Sequence, residues 1–279
     1  MNVTQAPKPR PRREWIMVLV QPLASRGVLW LARARVSPIA VVLAHGCLGL
    51  VAAALLSAPD AASLVAAALL LQAKTLLDNM DGGLARATGT VTEAGRYLDT
   101  VVDLTVNVAL FLALARHGPA VPALLALVAL TLLLSLDHTL EARYRELRGE
   151  RESTAPALPP GAPAWLLNAP RAVYAALLAP QDRLFTRLDD ALFGLAAGMA
   201  EADAPAALRL AWSDLFSTAS VVNLGLSTQL ALLGALALAG RPYLYVPLVL
   251  LQLVYAALVQ TARVLRFRRS MGVDRGSAA

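Results

Sequence analysis

Six stretches of this chain, at residues 38–57, 61–80, 96–115, 119–138, 218–239 and 243–262, are dominated by apolar side chains. Each is close to the roughly 20 residues that a helix needs to cross a bilayer. Backbone polar groups have no partners in hydrocarbon, so such stretches must satisfy them internally, as helices. Proline or glycine marks most of the breaks: Pro38, Pro59, Gly118 with Pro119, Gly240 and Pro242. The chain is 57% hydrophobic over 279 residues, with a mean hydropathy of +0.58, too apolar for a dispersed soluble domain. The expected fold class is all-α integral membrane, with six transmembrane helices preceded by an N-terminal interfacial amphipathic helix.

Charge places the remaining segments. Residues 1–14 are rich in proline and basic residues (Lys8, Arg10, Arg12, Arg13) and read as a disordered basic N-terminus. Residues 15–36 mix Trp15 and Trp30 with apolar and basic side chains, the pattern of a helix lying among lipid headgroups. A formal charge of +6 invites a nucleic-acid reading. The basic residues, however, cluster beside apolar runs without interleaved aromatics, so the expected contact is membrane lipid and not nucleic acid. Arg33, Arg35, Arg86, Arg96, Arg143, Arg145, Arg148, Arg151, Arg263, Arg266, Arg268 and Arg269 would all fall on one side. Arg116 and Arg241 fall on the other. Basic loops stay in the cytoplasm, so both termini are expected there. Cys47 is the single cysteine, which excludes a disulfide within one chain. No cleavable signal peptide is expected, since no small-residue cleavage site follows a short apolar core.

The spans divide into transmembrane helices 1–4 within residues 37–141 and helices 5–6 within 214–265, followed by a basic C-terminal tail at 266–279. Residues 142–213 form an insertion that does not span. Its Pro- and Ala-rich part, Ser153 to Pro163, reads as a linker. Further on, Tyr174, Leu177, Leu184, Phe185 and Leu188 alternate with Asp182, Arg183, Arg187, Asp189 and Asp190. That pattern predicts amphipathic helices on the cytoplasmic membrane surface. A small separate soluble domain is the alternative, with few apolar residues for a core.

The chemistry lies at the end of the second span, in LLDNMDGGLARATGTVTEAGRYLDTVVDL. Asp78 and Asp81 are three residues apart, and Asp99 and Asp103 four apart, so each pair shares a helical face. Two helices joined by a short link bring those faces together as a cage of carboxylate oxygens. Carboxylates at the ends of apolar helices are costly unless paired or metal-bound. Hard oxygen ligands in that number suit Mg²⁺ or Mn²⁺, singly or as a pair. Gly82 and Gly95 would let a nucleotide approach the backbone, and Arg86 offers a permanent cation to a phosphate oxygen.

This arrangement, Asp78-x-x-Asp81-Gly82-x-x-Ala85-Arg86, eight residues, then Gly95-x-x-x-Asp99-x-x-x-Asp103, resembles the signature of the CDP-alcohol phosphotransferase (CDP-alcohol phosphatidyltransferase) family. The resemblance implies a two-metal centre of Mg²⁺ or Mn²⁺ held by Asp78, Asp81, Asp99 and Asp103. It makes Asp103 the catalytic base toward an acceptor hydroxyl. It places Asp78, Gly82, Ala85, Arg86 and Gly95 against the CDP group. Two features depart from the family. Many members begin the first span with Thr/Ser-Pro-Asn, whereas Ser37-Pro38 is followed here by Ile39. The insertion before the fifth span is also longer than the family core leads one to expect.

Residues outside the motif carry open readings. Lys74, one turn before Asp78, would pair with that carboxylate or a phosphate, or snorkel to headgroups. Asn223, Ser227 and Gln229 read as helix-to-helix hydrogen-bonding groups within the fifth span, with the lining of an acceptor pocket as the alternative. His45 reads as a packed, hydrogen-bonded residue and not as a ligand, and His138 beside Asp137 and Glu141 as a weak metal candidate.

The expected activity is transfer of a phosphatidyl group from CDP-diacylglycerol to an acceptor alcohol, releasing CMP, in phospholipid biosynthesis. The alternative is a choline- or ethanolamine-type enzyme with diacylglycerol as acceptor. An ion-coupled transporter is the reading from a different class. The one-sided acidic cluster and the lack of an inverted repeat argue against transport. Expected partners are a CDP-linked lipid donor, an alcohol acceptor, membrane lipids and a second copy in a homodimer. The expected location is a bacterial inner (cytoplasmic) membrane with the site facing the cytoplasm.

Overall fold

The computed structural model describes residues 14–150 and 155–277, and among these it is helical throughout, without a strand. Five long helices open the chain: α1 (Trp15–Arg33), α2 (Pro38–Leu56), α3 (Ala61–Thr88), α4 (Glu93–Leu114) and α5 (Ala120–Glu146). Six more follow: α6 (Trp165–Leu177), α7 (Ala179–Ala197), α8 (Ala206–Trp212), α9 (Leu215–Val222), α10 (Leu226–Leu238) and α11 (Tyr245–Ser277). Seven helical stretches among the described residues are long and apolar enough to cross a membrane. Six correspond to the expected spans, and the seventh is α1, which meets the same criterion by length and composition. The protein is an all-helical integral membrane protein.

Local chemistry sets the helix ends. Asp60 accepts from Ser63 N at 2.9 Å and caps α3. Gly89 closes α3 with φ 68°, a left-handed turn that costs a glycine little. The Thr92 hydroxyl accepts from Gly95 N at 3.1 Å and starts α4. Two further α4 amides, of Glu93 and Ala94, donate to the carbonyls of Pro156 and Ala157, each at 3.0 Å. The Pro-rich linker thus finishes the capping of α4.

The core lies where α2, α3, α4, α5, α10 and α11 meet, around Leu56, Leu71, Phe111, Leu114, Leu130, Leu133 and Leu233. Large apolar side chains such as Leu43, Leu69, Leu112, Leu125, Leu251 and Leu258 point outward from the same helices. In water that surface would drive aggregation, and against lipid it is the ordinary exterior. Small residues bring α2 onto α4. A Cβ at Gly46 would lie 2.5 Å from Val102 Cγ1, and one at Gly49 2.6 Å from Val106 Cγ1.

The span expected at 218–239 is not one helix. It breaks between α9 and α10, around Asn223 to Gly225. The physical cause is Glu14, whose carboxylate accepts from Thr228 N at 2.9 Å and from Thr228 Oγ1 at 3.1 Å, capping α10. Gly225 makes room for it, since a Cβ there would stand 2.7 Å from Glu14 Oε1. Residues 1–13 lie outside the described residues, while Glu14, expected in the same disordered stretch, is buried. Within α10, Gln229 donates to Gln252 Oε1 at 2.7 Å and accepts from the Tyr245 hydroxyl at 3.0 Å, joining α10 to α11. Asn223 instead donates to Ala219 O within its own helix, so it does not share a helix with Ser227.

Residues 155–213 of the insertion lie against the bundle, α6 along α4 and α7 against α5 and α11. Asp189 of α7, 4% exposed, pairs with Arg143 of α5 at 2.8 Å and with Arg263 of α11 at 2.6 Å. Phe193, Trp212 and Phe267 close around them, with Trp212 edge-on to both phenylalanines. The small aromatic core is therefore shared with α11 and does not belong to a free-standing unit. Residues 153 and 154 of the expected linker lie outside the described residues.

Candidate active site

The helix α3 continues past the expected end of its span, so Asp78 and Asp81 stand within a helix and face α4. The short link through Gly89 turns the chain back, and α4 returns Asp99 and Asp103 to the same space. The structure gathers all four aspartates. Asp78, Asp99 and Asp103 each offer one oxygen within 4.8 Å of the others and of a His45 ring nitrogen. Asp81 joins through Oδ2, which lies 3.1 Å from His45 Nε2.

His45 is a residue that reading the sequence did not place beside the aspartates and the structure does. It is fully buried on α2, and its Nε2 lies 3.3 Å from Asp99 Oδ1 and 3.8 Å from Asp78 Oδ1. A signal was present, because His45 is the sole His, Asp, Glu, Lys or Arg of α2. An ionisable residue inside a span is a functional candidate by default.

Lys74 supplies the cation on the opposite flank. Its ammonium is fully buried, 2.5 Å from Asp103 Oδ1 and 3.1 Å from Asp78 Oδ1. It pairs with carboxylates and does not snorkel outward. Two carboxylate oxygens of the cage, Asp81 Oδ2 and Asp99 Oδ1, are buried without a hydrogen-bond partner. Bare anionic oxygens in an apolar surround are costly. The donor set therefore fits a divalent cation, which would satisfy them directly.

The cage opens into a cavity of about 1030 Å³. Asp78, Asp81, Gly82, Arg86, Asp99 and Asp103 line it, together with Arg96, Tyr97 and Asn107 of α4. Arg86 reaches back over Gly82, where a Cβ would lie 3.3 Å from its Nη1. Ala85 and Gly95 do not line the cavity, and the Gly95 amide is taken up by the Thr92 cap.

One cavity wall comes from the insertion. Asp182 of α7 accepts from the Tyr174 hydroxyl of α6 and from the Ser135 hydroxyl of α5. The Tyr174 ring packs on Tyr97 with centroids 5.2 Å apart. Burial and the neighbouring Asp182 carboxylate push the Tyr174 phenol above its ordinary pKa, so it stays a hydrogen-bond donor. Asp137, His138 and Glu141 of α5 face the same cavity from above, without joining the group that converges at His45.

No curated protein and no solved structure matches the chain significantly. A family described as CDP-alcohol phosphatidyltransferase matches residues 35–157, which run from the turn before α2 through α5 to the linker that caps α4. The four aspartates that the structure brings together between α3 and α4 all lie inside that matched region, so residues 35–157 of this chain are similar to the CDP-alcohol phosphatidyltransferase family.

Proposed function

We propose that the protein transfers a phosphatidyl group from CDP-diacylglycerol to the hydroxyl of an acceptor alcohol, releasing CMP. The family match over residues 35–157 supports a transferase of lipid synthesis that acts on a CDP-linked donor and an alcohol acceptor. The observation that carries the finer reading is the convergence of four carboxylates and Arg86 on one cavity buried among apolar helices. A donor whose reactive diphosphate is attached to lipid tails fits such a site.

Asp78, Asp81, Asp99 and Asp103 are assigned to hold divalent ions, Mg²⁺ or Mn²⁺. Ions held by these carboxylates would supply charge neutralisation for the diphosphate and for CMP as the leaving group. Gly82 leaves space for the nucleotide beside α3. Arg86 donates to phosphate oxygens, a permanent cation at the mouth of the cage. Asp103 takes the proton of the acceptor hydroxyl as its oxygen bonds to the lipid-side phosphorus, and the bond from that phosphorus to CMP breaks. Ala85 and Gly95 are assigned to the nucleotide on the motif alone. Loop charge supports a site facing the cytoplasm.

The test is purified protein in lipid nanodiscs with labelled CDP-diacylglycerol, Mg²⁺ and a panel of acceptor alcohols. CMP release that depends on an acceptor, with a new lipid product by mass spectrometry, is the expected result. CMP release only from CDP-choline or CDP-ethanolamine with diacylglycerol would move the assignment to the reverse arrangement. Ion flux without CMP release would make the protein a transporter.

A further inference from the structure

We infer that His45 is a direct ligand of the metal centre, giving this chain a nitrogen donor beside its four carboxylates. The inference rests on the metal reading of the aspartate cage and adds to it a residue from outside the motif.

The first argument is spacing. Donors at right angles around an octahedral ion bound at about 2.1 Å stand about 3.0 Å apart. His45 Nε2 lies 3.1 Å from Asp81 Oδ2 and 3.3 Å from Asp99 Oδ1, close to that separation. Asp78 Oδ1, at 3.8 Å, lies only somewhat farther out.

The second argument is satisfaction. An imidazole held merely by carboxylates would donate its N–H along a hydrogen bond. Neither ring nitrogen of His45 makes one, although the side chain is fully buried. The nearest oxygens, Asp81 Oδ2 and Asp99 Oδ1, also lack partners. One cation among Nε2 and these two oxygens satisfies all three atoms at once. Buried polar atoms are nearly always satisfied, so three adjacent exceptions point to a shared partner.

The third argument is placement. Gly46, next in sequence, and Gly49 bring α2 against Val102 and Val106 of α4. That contact holds the imidazole level with Asp99. The chemical consequence follows from ligand type. Imidazole suits transition ions such as Zn²⁺, Fe²⁺ and Ni²⁺, whereas Mg²⁺ prefers oxygen. His45 therefore tilts the site away from Mg²⁺ and toward first-row transition ions, relative to an all-carboxylate cage.

The experiment uses the full chain in nanodiscs loaded with Mn²⁺ alone, read by electron spin-echo envelope modulation. Bound Mn²⁺ should show modulation from a directly coordinated ¹⁴N. Labelling the unsubstituted protein with [¹⁵N]histidine should replace it by the ¹⁵N pattern, which needs no folding variant. His45→Gln should abolish the nitrogen coupling while Mn²⁺ still binds, and His138→Gln should retain it. Mn²⁺ affinity should fall by at least about tenfold in His45→Gln, the scale on which even outer-shell partners act, and Mg²⁺ affinity should fall less. Bound Mn²⁺ that is lost in Asp81→Asn but never shows nitrogen coupling overturns His45 as a ligand and leaves the carboxylate site standing. If no Mn²⁺ binds to the unsubstituted protein, the metal reading and this inference fall together.

Discussion

The Lys74 ammonium and the Asp103 carboxylate, on adjacent helices, lie 2.5 Å apart with the lysine fully buried. The same ammonium holds Asp78 at 3.1 Å. One fixed cation therefore offsets part of the charge of four neighbouring aspartates and orients the carboxylate assigned as base. Removing it leaves buried anions without a partner. Lys74→Met should lower stability by about 3–5 kcal/mol, the usual result of breaking one side of a buried pair. Mn²⁺ or Mg²⁺ should recover part of that loss. Thermal unfolding in detergent, with and without the ions, measures both, and an unchanged melting temperature would show that the pair contributes nothing.

Chelation tests the cage as a whole. Asp81 Oδ2 and Asp99 Oδ1 are buried without a hydrogen bond, so activity should vanish with EDTA and return on adding Mg²⁺ or Mn²⁺. Full transfer activity in chelator would remove divalent ions from the mechanism.

Asp103 and Asp81 should fail differently. Asp103→Asn keeps size and shape but cannot take the acceptor proton, and general-base catalysis contributes about 10²–10⁴-fold. Turnover should fall by that order while donor binding changes less. Asp81→Asn should weaken metal and donor binding together. Measuring both variants across Mg²⁺ concentrations separates the roles. Recovery of Asp103→Asn by excess Mg²⁺ would reduce that residue to a ligand.

The charge pattern of the loops sets a topology test. Arg187 lies on an exposed position of α7 in the insertion. In a Cys47→Ser background, Arg187→Cys should react with an impermeant maleimide only after the membrane is opened. Labelling in intact cells would place the insertion, and with it the cavity mouth, on the other side.

Much of the helical plan could be read directly. All six expected apolar spans coincide with helical stretches long enough to cross a membrane. Apolar length announced the spans, but not where each helix ends, because residues 81–88 continue α3 with Asp81 and Arg86 lining the site. The break after α9 escaped for a different reason. Residues 218–239 are apolar enough for one span, and the interruption depends on Glu14, more than 200 positions away, reaching Thr228. The insertion reads as amphipathic in sequence, yet its ion pairs with Arg143 and Arg263 and its wall at Tyr174 and Asp182 belong to long-range packing.

By itself the sequence determined the membrane class, the helical faces of the paired aspartates and the motif that carries the family. These follow from short-range rules of span length, helical period and spacing, which act within a few turns of chain. The tertiary structure alone decided that Lys74 bridges Asp78 and Asp103, and that His45 enters the cage 33 residues ahead of the first motif aspartate. Both outcomes depend on how closely helices approach one another. The glycines of α2 let its backbone settle on Val102 and Val106, and no periodicity within a single helix reveals which partner will fill that space.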